Sequence, residues 1–354
     1  MVLPKAGLRC FFRNICAKTP AFGNTRPLGD ILTEKMKKMK IFNNRKKLLR
    51  VLFIIFLMMN IVAFFHAYKF THFTEDNSAK TKSPEKLTSI EKIKTLFLGI
   101  NNPKLKNSKF PTQKYKVVKL KSNKQIECWL VKNEKPKGTI ILFHGYGGEK
   151  SSMIDKSDEF IKLGFNTLLV DFMGSGNSEG NQTTIGFKEA GEVKTTFDYL
   201  VKTGEKNIYL FGTSMGSAAI MKCINDNKIN PKAIIIECPF GSMYETVCAR
   251  FDKMKAPTFP MAGILLFWGG IQNGFWGFSH NPSEYARNIK CPTLLLYGEK
   301  DKSVSRKEID EIYANLKGVK KLNIYKNTGH ENYLIKNKIE WTKNITDFIK
   351  TTEK

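Results

Sequence analysis

Acidic residues are scarce in this chain. Only 32 Asp and Glu stand against 58 Lys and Arg, for a formal net charge of +26. The excess is mostly lysine, because only eight residues are arginine. It is also dispersed, with no aromatic-interleaved basic stripe and no nucleic-acid motif, so a solvated lysine-rich surface is expected and a nucleic-acid partner is not. Cysteine supplies no scaffold. The seven (Cys10, Cys16, Cys128, Cys223, Cys238, Cys248 and Cys291) form no C-x-x-C pair and their count is odd, which argues against a zinc site or a disulfide framework. Most are expected as small buried apolar residues. No internal repeat is visible, and no metal or cofactor is expected. The length of 354 residues allows one large domain with appendages or two modest domains.

Long apolar runs are nearly absent too. Val51–Phe65 is apolar except for Asn60. Extended to Tyr68, it makes a helix of about 27 Å, near the lower limit for a bilayer span. Residues 48–68 are therefore expected as a transmembrane anchor. Lys35, Lys37, Lys38, Lys40, Arg45, Lys46, Lys47 and Arg50 precede the run. The positive-inside rule then leaves residues 1–47 as a basic cytoplasmic tail and puts the bulk of the chain across the membrane, as a single-pass protein. A cleaved signal peptide is the rival reading, but no A-x-A-like site follows the run. Residues 1–35 look foreign to the rest. They hold Arg9, Arg13 and Arg26, and Pro4, Pro20 and Pro27 break any helix. A start at Met36 or Met39 would make them an upstream extension; a basic organellar transit peptide is the alternative. Residues 69–112 are polar and read as a flexible tether spanning about 35–40 Å, with a short helix at Leu87–Leu98.

From residue 113 to 354 the pattern is regular. Tyr115–Leu120 and Gln125–Val131 read as a hairpin. Thr139–Phe143 is wholly apolar, as expected of a strand covered on both faces. Further strands are expected at Thr167–Phe172, Asn207–Phe211, Ala233–Glu237, Thr293–Tyr297 and Lys321–Tyr325. Helices are expected at Ser152–Leu163, Phe187–Lys202, Ser217–Asn227, Arg306–Leu316 and Ile339–Lys350. This alternation implies an α/β fold, a mostly parallel central sheet with helices on both faces.

Gly212-Thr213-Ser214-Met215-Gly216 lies between a strand and a helix. In that context G-x-S-x-G is a nucleophile elbow, a strained turn that raises a serine oxygen for attack. Four other pieces occur in order around it: His144-Gly145-Tyr146-Gly147-Gly148, Asp171-Phe172-Met173-Gly174-Ser175-Gly176-Asn177-Ser178, Tyr297-Gly298-Glu299-Lys300-Asp301 and Thr328-Gly329-His330. Over roughly Tyr115–Lys350 the chain resembles the α/β-hydrolase superfamily, in particular the serine aminopeptidase-like or Bem46-like group. The family commonly has arginine where this chain has Met173, so a structural salt bridge from that loop is expected to be missing.

A serine hydroxyl needs a base to take its proton. His330, in a loop after the last strand, can be that base, and Asp301 can fix its tautomer; Ser214, Asp301 and His330 follow one another in the α/β-hydrolase order. The backbone N–H groups of Met215 and Tyr146 are the expected oxyanion donors. Rivals are His144 as base, which more often braces the oxyanion loop, and Glu299 or Glu237 as acid. His280 reads as exposed. Between about residues 240 and 285 the alternation stops, and an aromatic, glycine-rich segment with Phe259, Trp268 and Trp276 is expected as a helical lid. The expected function is a membrane-anchored serine hydrolase acting on a small acyl substrate of lipid-like character, through an acyl-enzyme. Peptidase, thioesterase, lysophospholipase and non-catalytic scaffold readings stay open, and the oligomeric state is not indicated.

Overall fold

The computed structural model describes residues 28–76 and 79–353. The expectations for the first 27 residues, Cys10 and Cys16 included, lie outside the described residues. The chain divides into two compact units, with the boundary between Met58 and Met59. The first described element is a 44-residue helix, α1 (Leu28–Thr71). It is longer than the expected anchor at both ends. The chain after Gly29 contains no proline or glycine up to Thr71, and its Lys, Leu, Met and Ile residues favour helix.

Among the described residues, eight strands form one sheet. They are β1 (Tyr115–Lys121), β2 (Gln125–Val131), β3 (Thr139–Phe143), β4 (Asn166–Val170), β5 (Ile208–Thr213), β6 (Ala233–Glu237), β7 (Thr293–Gly298) and β8 (Lys320–Tyr325), in spatial order β1-β2-β4-β3-β5-β6-β7-β8. β2 runs antiparallel to β1 and β4, and every other pairing is parallel. The helices are α2 (Ser89–Leu98), α3 (Ile154–Lys162), α4 (Glu189–Lys202), α5 (Met215–Asn227), α6 (Met243–Met254), α7 (Met261–Gln272), α8 (Pro282–Tyr285), α9 (Arg306–Asn315), α10 (Tyr333–Lys336) and α11 (Lys338–Thr352).

Alternate residues of the central strands face opposite layers, as strand geometry requires. Ile141 and Leu210 pack with Val193 of α4, Ala218 of α5 and Ile309 of α9. Ile140, Leu142 and Phe211 pack with Phe160 of α3 and with Trp341 and Ile345 of α11. β3, β6 and β7 are buried along their whole length, which explains why their sequences are mostly apolar. This is the α/β-hydrolase fold, with α6, α7 and α8 inserted between β6 and β7.

The expected free tether is not what folds. Ala63 and Ala67 of α1 are buried, and Phe64 meets Trp268 of α7 edge-on at 5.2 Å. Trp268 Nε1 donates to Asn60 Oδ1 at 3.0 Å, so the one polar residue of the apolar run is hydrogen-bonded to the insertion. Beyond α1, His72 and Thr74 form β-bridges to Gln182 and Pro103. Lys104 Nζ donates to the carbonyls of Ser178 and Gly180 at 2.7 and 3.0 Å. A polar composition favours a solvated tether, but these partners hold the segment within the larger unit.

Candidate active site

Strand β5 ends in the elbow. Ser214 sits at φ 52°, ψ −108°, a conformation that a side-chain-bearing residue adopts only under constraint, and α5 starts at the next residue. Its N–H donates to the Glu237 carbonyl at 2.8 Å, which ties the turn to the end of β6. The two flanking glycines are required by close approach. A Cβ on Gly212 would lie 2.6 Å from the Gly216 carbonyl carbon, and one on Gly216 would meet the Phe143 and His144 carbonyl oxygens.

Four successive strand ends then converge on Ser214. His330, after β8, lies with Nε2 3.1 Å from Ser214 Oγ. Its Nδ1 lies 2.7 Å from Asp301 Oδ2, after β7. Asp301 has a fully buried side chain, and its Oδ1 accepts from the N–H groups of Ser303 and Val304 at 2.6 and 3.0 Å. Lys300 N–H donates to the Thr328 carbonyl at 2.8 Å, and Gly298 N–H donates to the Tyr333 hydroxyl at 2.9 Å. The loops that carry the acid and the histidine are therefore fastened to each other. The arrangement can move a proton from Ser214 toward His330 while Asp301 holds the ring.

Cys238, directly after β6, is the fourth strand-end residue. Its sulfur lies within 4.8 Å of the ligating atoms of Asp301 and His330. Sequence reasoning read it only as a buried apolar residue; the signal available was its place immediately after a strand next to the one that carries Asp301. Burial opposes protonation of His330, but the Cys238 sulfur and the Asp301 carboxylate outweigh it and hold the imidazole well above its ordinary value.

The rivals are placed elsewhere. His144 is buried, with Nδ1 2.8 Å from the Gly145 carbonyl and Nε2 accepting from Phe172 N–H at 3.2 Å, so both nitrogens brace backbone. Glu237 accepts from Trp341 Nε1 at 2.8 Å and Thr213 Oγ1 at 3.0 Å, inside the core. Glu299 is exposed. His280 is not exposed, as its position in the insertion suggested. It is fully buried, with Nε2 3.0 Å from the Ile185 carbonyl, and burial pushes it down to about 4. The loop with Met173 does not lack an ion pair either. Buried Lys150 bonds to Asp171 of that loop and lies 3.1 Å from Glu127.

Ser214 and His330 open into a cavity of about 440 Å³. Of the expected oxyanion donors, Tyr146 lines it together with Gly145, while Met215 follows Ser214 as the first residue of α5. The Tyr146 ring stacks on Phe70 at 4.9 Å, and its hydroxyl donates to the Phe70 carbonyl at 2.7 Å. Phe70, residues 80–85 and residues 100–102 form one wall. Sequence reasoning missed this wall, because a polar segment with no motif gives no sign of where it docks. The lid tryptophans do not line the cavity. Trp268 faces α1, and Trp276 is exposed and packs on Phe267 and Phe278.

Residues 134–267 match the family model described as serine aminopeptidase, S33. The match includes Ser214 and ends before Asp301 and His330. Among curated proteins, uncharacterized protein YqkD of Bacillus subtilis is 25% identical over 215 residues, which cover 60% of this chain and 70% of that protein. Lysophosphatidylserine lipase ABHD12 of Macaca fascicularis is 25% identical over 176 residues, 46% of this chain and 41% of the lipase. This chain thus spans less than half of that relative. Among solved structures, the Pyrococcus furiosus esterase Pf2001 superposes with a TM-score of 0.60 at 23% identity, covering 71% of this chain and 97% of the esterase, a likeness of fold. By its sheet order and these likenesses the chain has the α/β-hydrolase fold, and its residues 134–267 are similar to the serine aminopeptidase, S33 family.

Proposed function

We propose that this protein is a membrane-anchored serine hydrolase that cleaves a carboxylic ester of an amphiphilic acyl substrate. The observation that carries the reading is the chain of contacts from Ser214 Oγ through His330 to Asp301, at 3.1 and 2.7 Å, opening into a cavity. Ser214 Oγ attacks the ester carbonyl carbon as its proton passes to His330 Nε2. The backbone N–H groups of Met215 and Tyr146 receive the developing oxyanion. The bond to the alkoxy group breaks, and His330 returns the proton to the departing alcohol. Water then attacks the acyl-enzyme with His330 as base, and the carboxylic acid leaves with Ser214 restored.

The cavity supports an ester over an aminopeptidase substrate. Its charged lining is Lys80, Lys82, Arg250 and Lys253 against the single carboxylate of Glu85, a poor setting for a substrate ammonium group. The lipase and esterase relatives point the same way. α1 contains a stretch long and apolar enough to cross a membrane, and we read it as the anchor, with the preceding basic residues cytoplasmic. α7 lies beside the second half of the apolar run, and Phe267, Ile271, Trp276 and Phe278 are exposed. Aromatic side chains so placed suit a lipid–water interface, so the lid would rest on the membrane surface.

Ser214→Ala tests the reading. Labelling of the full chain by a fluorophosphonate should vanish and acyl-ester turnover should fall by several orders of magnitude. Undiminished labelling of the variant would remove Ser214 as nucleophile.

A further inference from the structure

Arginine is rare after the apolar run: only Arg250, Arg287 and Arg306 follow residue 50. Two of these make surface ion pairs with a neighbouring turn, Arg287 with Glu284 at 2.8 Å and Arg306 with Asp310 at 2.7 Å. Arg250 is different. Among the described residues no carboxylate lies within 4.0 Å of its guanidinium, which sits instead over the Phe70 ring at 4.5 Å. It is half-buried on α6 and lines the cavity that holds Ser214. A half-buried cation without a counter-ion is poorly compensated, because burial penalises the charged form.

The nearest negative group, Glu85, acts on Arg250 only beyond ion-pair distance. Lys253, one helical turn further along α6, bonds to Ser303 and lies 3.4 Å from Glu85, so the one acid of the cavity is already engaged. Lys80 donates to the Gly147 carbonyl at 2.8 Å, a neutral acceptor. The same cavity is also lined by the apolar side chains of Ile100, Ile185, Phe240 and Val304. One compartment therefore combines a nucleophile candidate, apolar side chains and four cations against one carboxylate.

We propose that Arg250, with Lys80 and Lys253 beside it, is an anion subsite that selects acyl esters carrying a phosphate group. The planar guanidinium can give a phosphate two parallel charge-assisted hydrogen bonds, a geometry that the ammonium groups lack. Phe70 holds the guanidinium plane by stacking, so little side-chain freedom is lost when the anion arrives. This inference rests on the reading of Ser214 as the nucleophile, and it goes beyond that reading by naming what accompanies the acyl group.

The test uses the full chain in detergent with three arms: decanoylglycerol, decanoylglycerol 3-phosphate, and decanoylglycerol with added inorganic phosphate. Wild-type kcat/KM should favour the phosphate-bearing ester by about tenfold or more, as expected of charge-assisted recognition. Arg250→Gln should reduce that preference by about tenfold, mainly through KM, and Arg250→Lys should restore part of it. Labelling by an uncharged fluorophosphonate reports whether each variant keeps the folded site. A wild-type enzyme without the preference overturns the subsite, whatever the variants do. So does an Arg250→Gln variant that slows both esters in equal proportion. Activation of the neutral ester by inorganic phosphate, without preference for the phosphate-bearing ester, would assign the anion to a free ion and overturn the substrate claim. Hydrolysis that survives Ser214→Ala would instead overturn the serine reading, so the two failures are distinguishable.

Discussion

Asp301→Asn separates the proposed relay from a merely structural contact. Asp301 Oδ1 accepts two backbone N–H groups, from Ser303 and Val304, while Oδ2 faces His330 Nδ1 at 2.7 Å. An amide has one acceptor oxygen to share among these partners. If the oxygen stays on the two N–H groups, the NH2 turns toward His330. The reverse orientation would set the NH2 against two backbone donors. Each buried donor left unsatisfied costs about 1–3 kcal/mol, so roughly 2–6 kcal/mol favours the first orientation. An NH2 can donate to Nδ1 only when that nitrogen carries no proton. The neutral ring then carries its proton on Nε2, the atom 3.1 Å from Ser214 Oγ, and cannot accept the serine proton. The expected loss in kcat is about ten-thousand-fold, or about 5 kcal/mol of barrier, measured by initial rates on a water-soluble acyl ester. The denaturant midpoint, measured in parallel, should change little, because the backbone contacts are kept. A loss below about tenfold in a folded variant would refute the tautomer argument. Glu299→Gln, at an exposed position, serves as the control and should be mild.

Two further outcomes follow from charge. With His330 held above its ordinary value, protonated imidazole cannot act as base, so kcat/KM should rise with pH through a midpoint above about 6.5 and level off beyond it. For topology, a phosphatase that needs export, fused after Lys354 in a bacterial host, should be active. Activity of a cytoplasm-only reporter at the same place would reverse the orientation.

The local order of this protein is written in its residues. Apolar runs such as Thr139–Phe143 and Ala233–Ile236 read as strands covered on both faces, and both are fully buried. The elbow was legible because Gly212 and Gly216 sit where any Cβ would strike backbone. Ser214, Asp301 and His330 could be named as candidates because each follows its own strand in order, and parallel strands bring their carboxyl ends to one edge. What the sequence could not hold is everything set by docking. Residues 80–85 and 100–102 form a wall of the cavity through backbone bridges and lysine–carbonyl bonds, which carry no periodicity. Trp268 was legible as a lid aromatic, but its partner is Asn60, 208 residues away. Arg250 lies in no sequence motif. Only folding shows that its partner is an aromatic ring and that it lines the cavity of Ser214, because a missing counter-ion is a property of space and not of sequence.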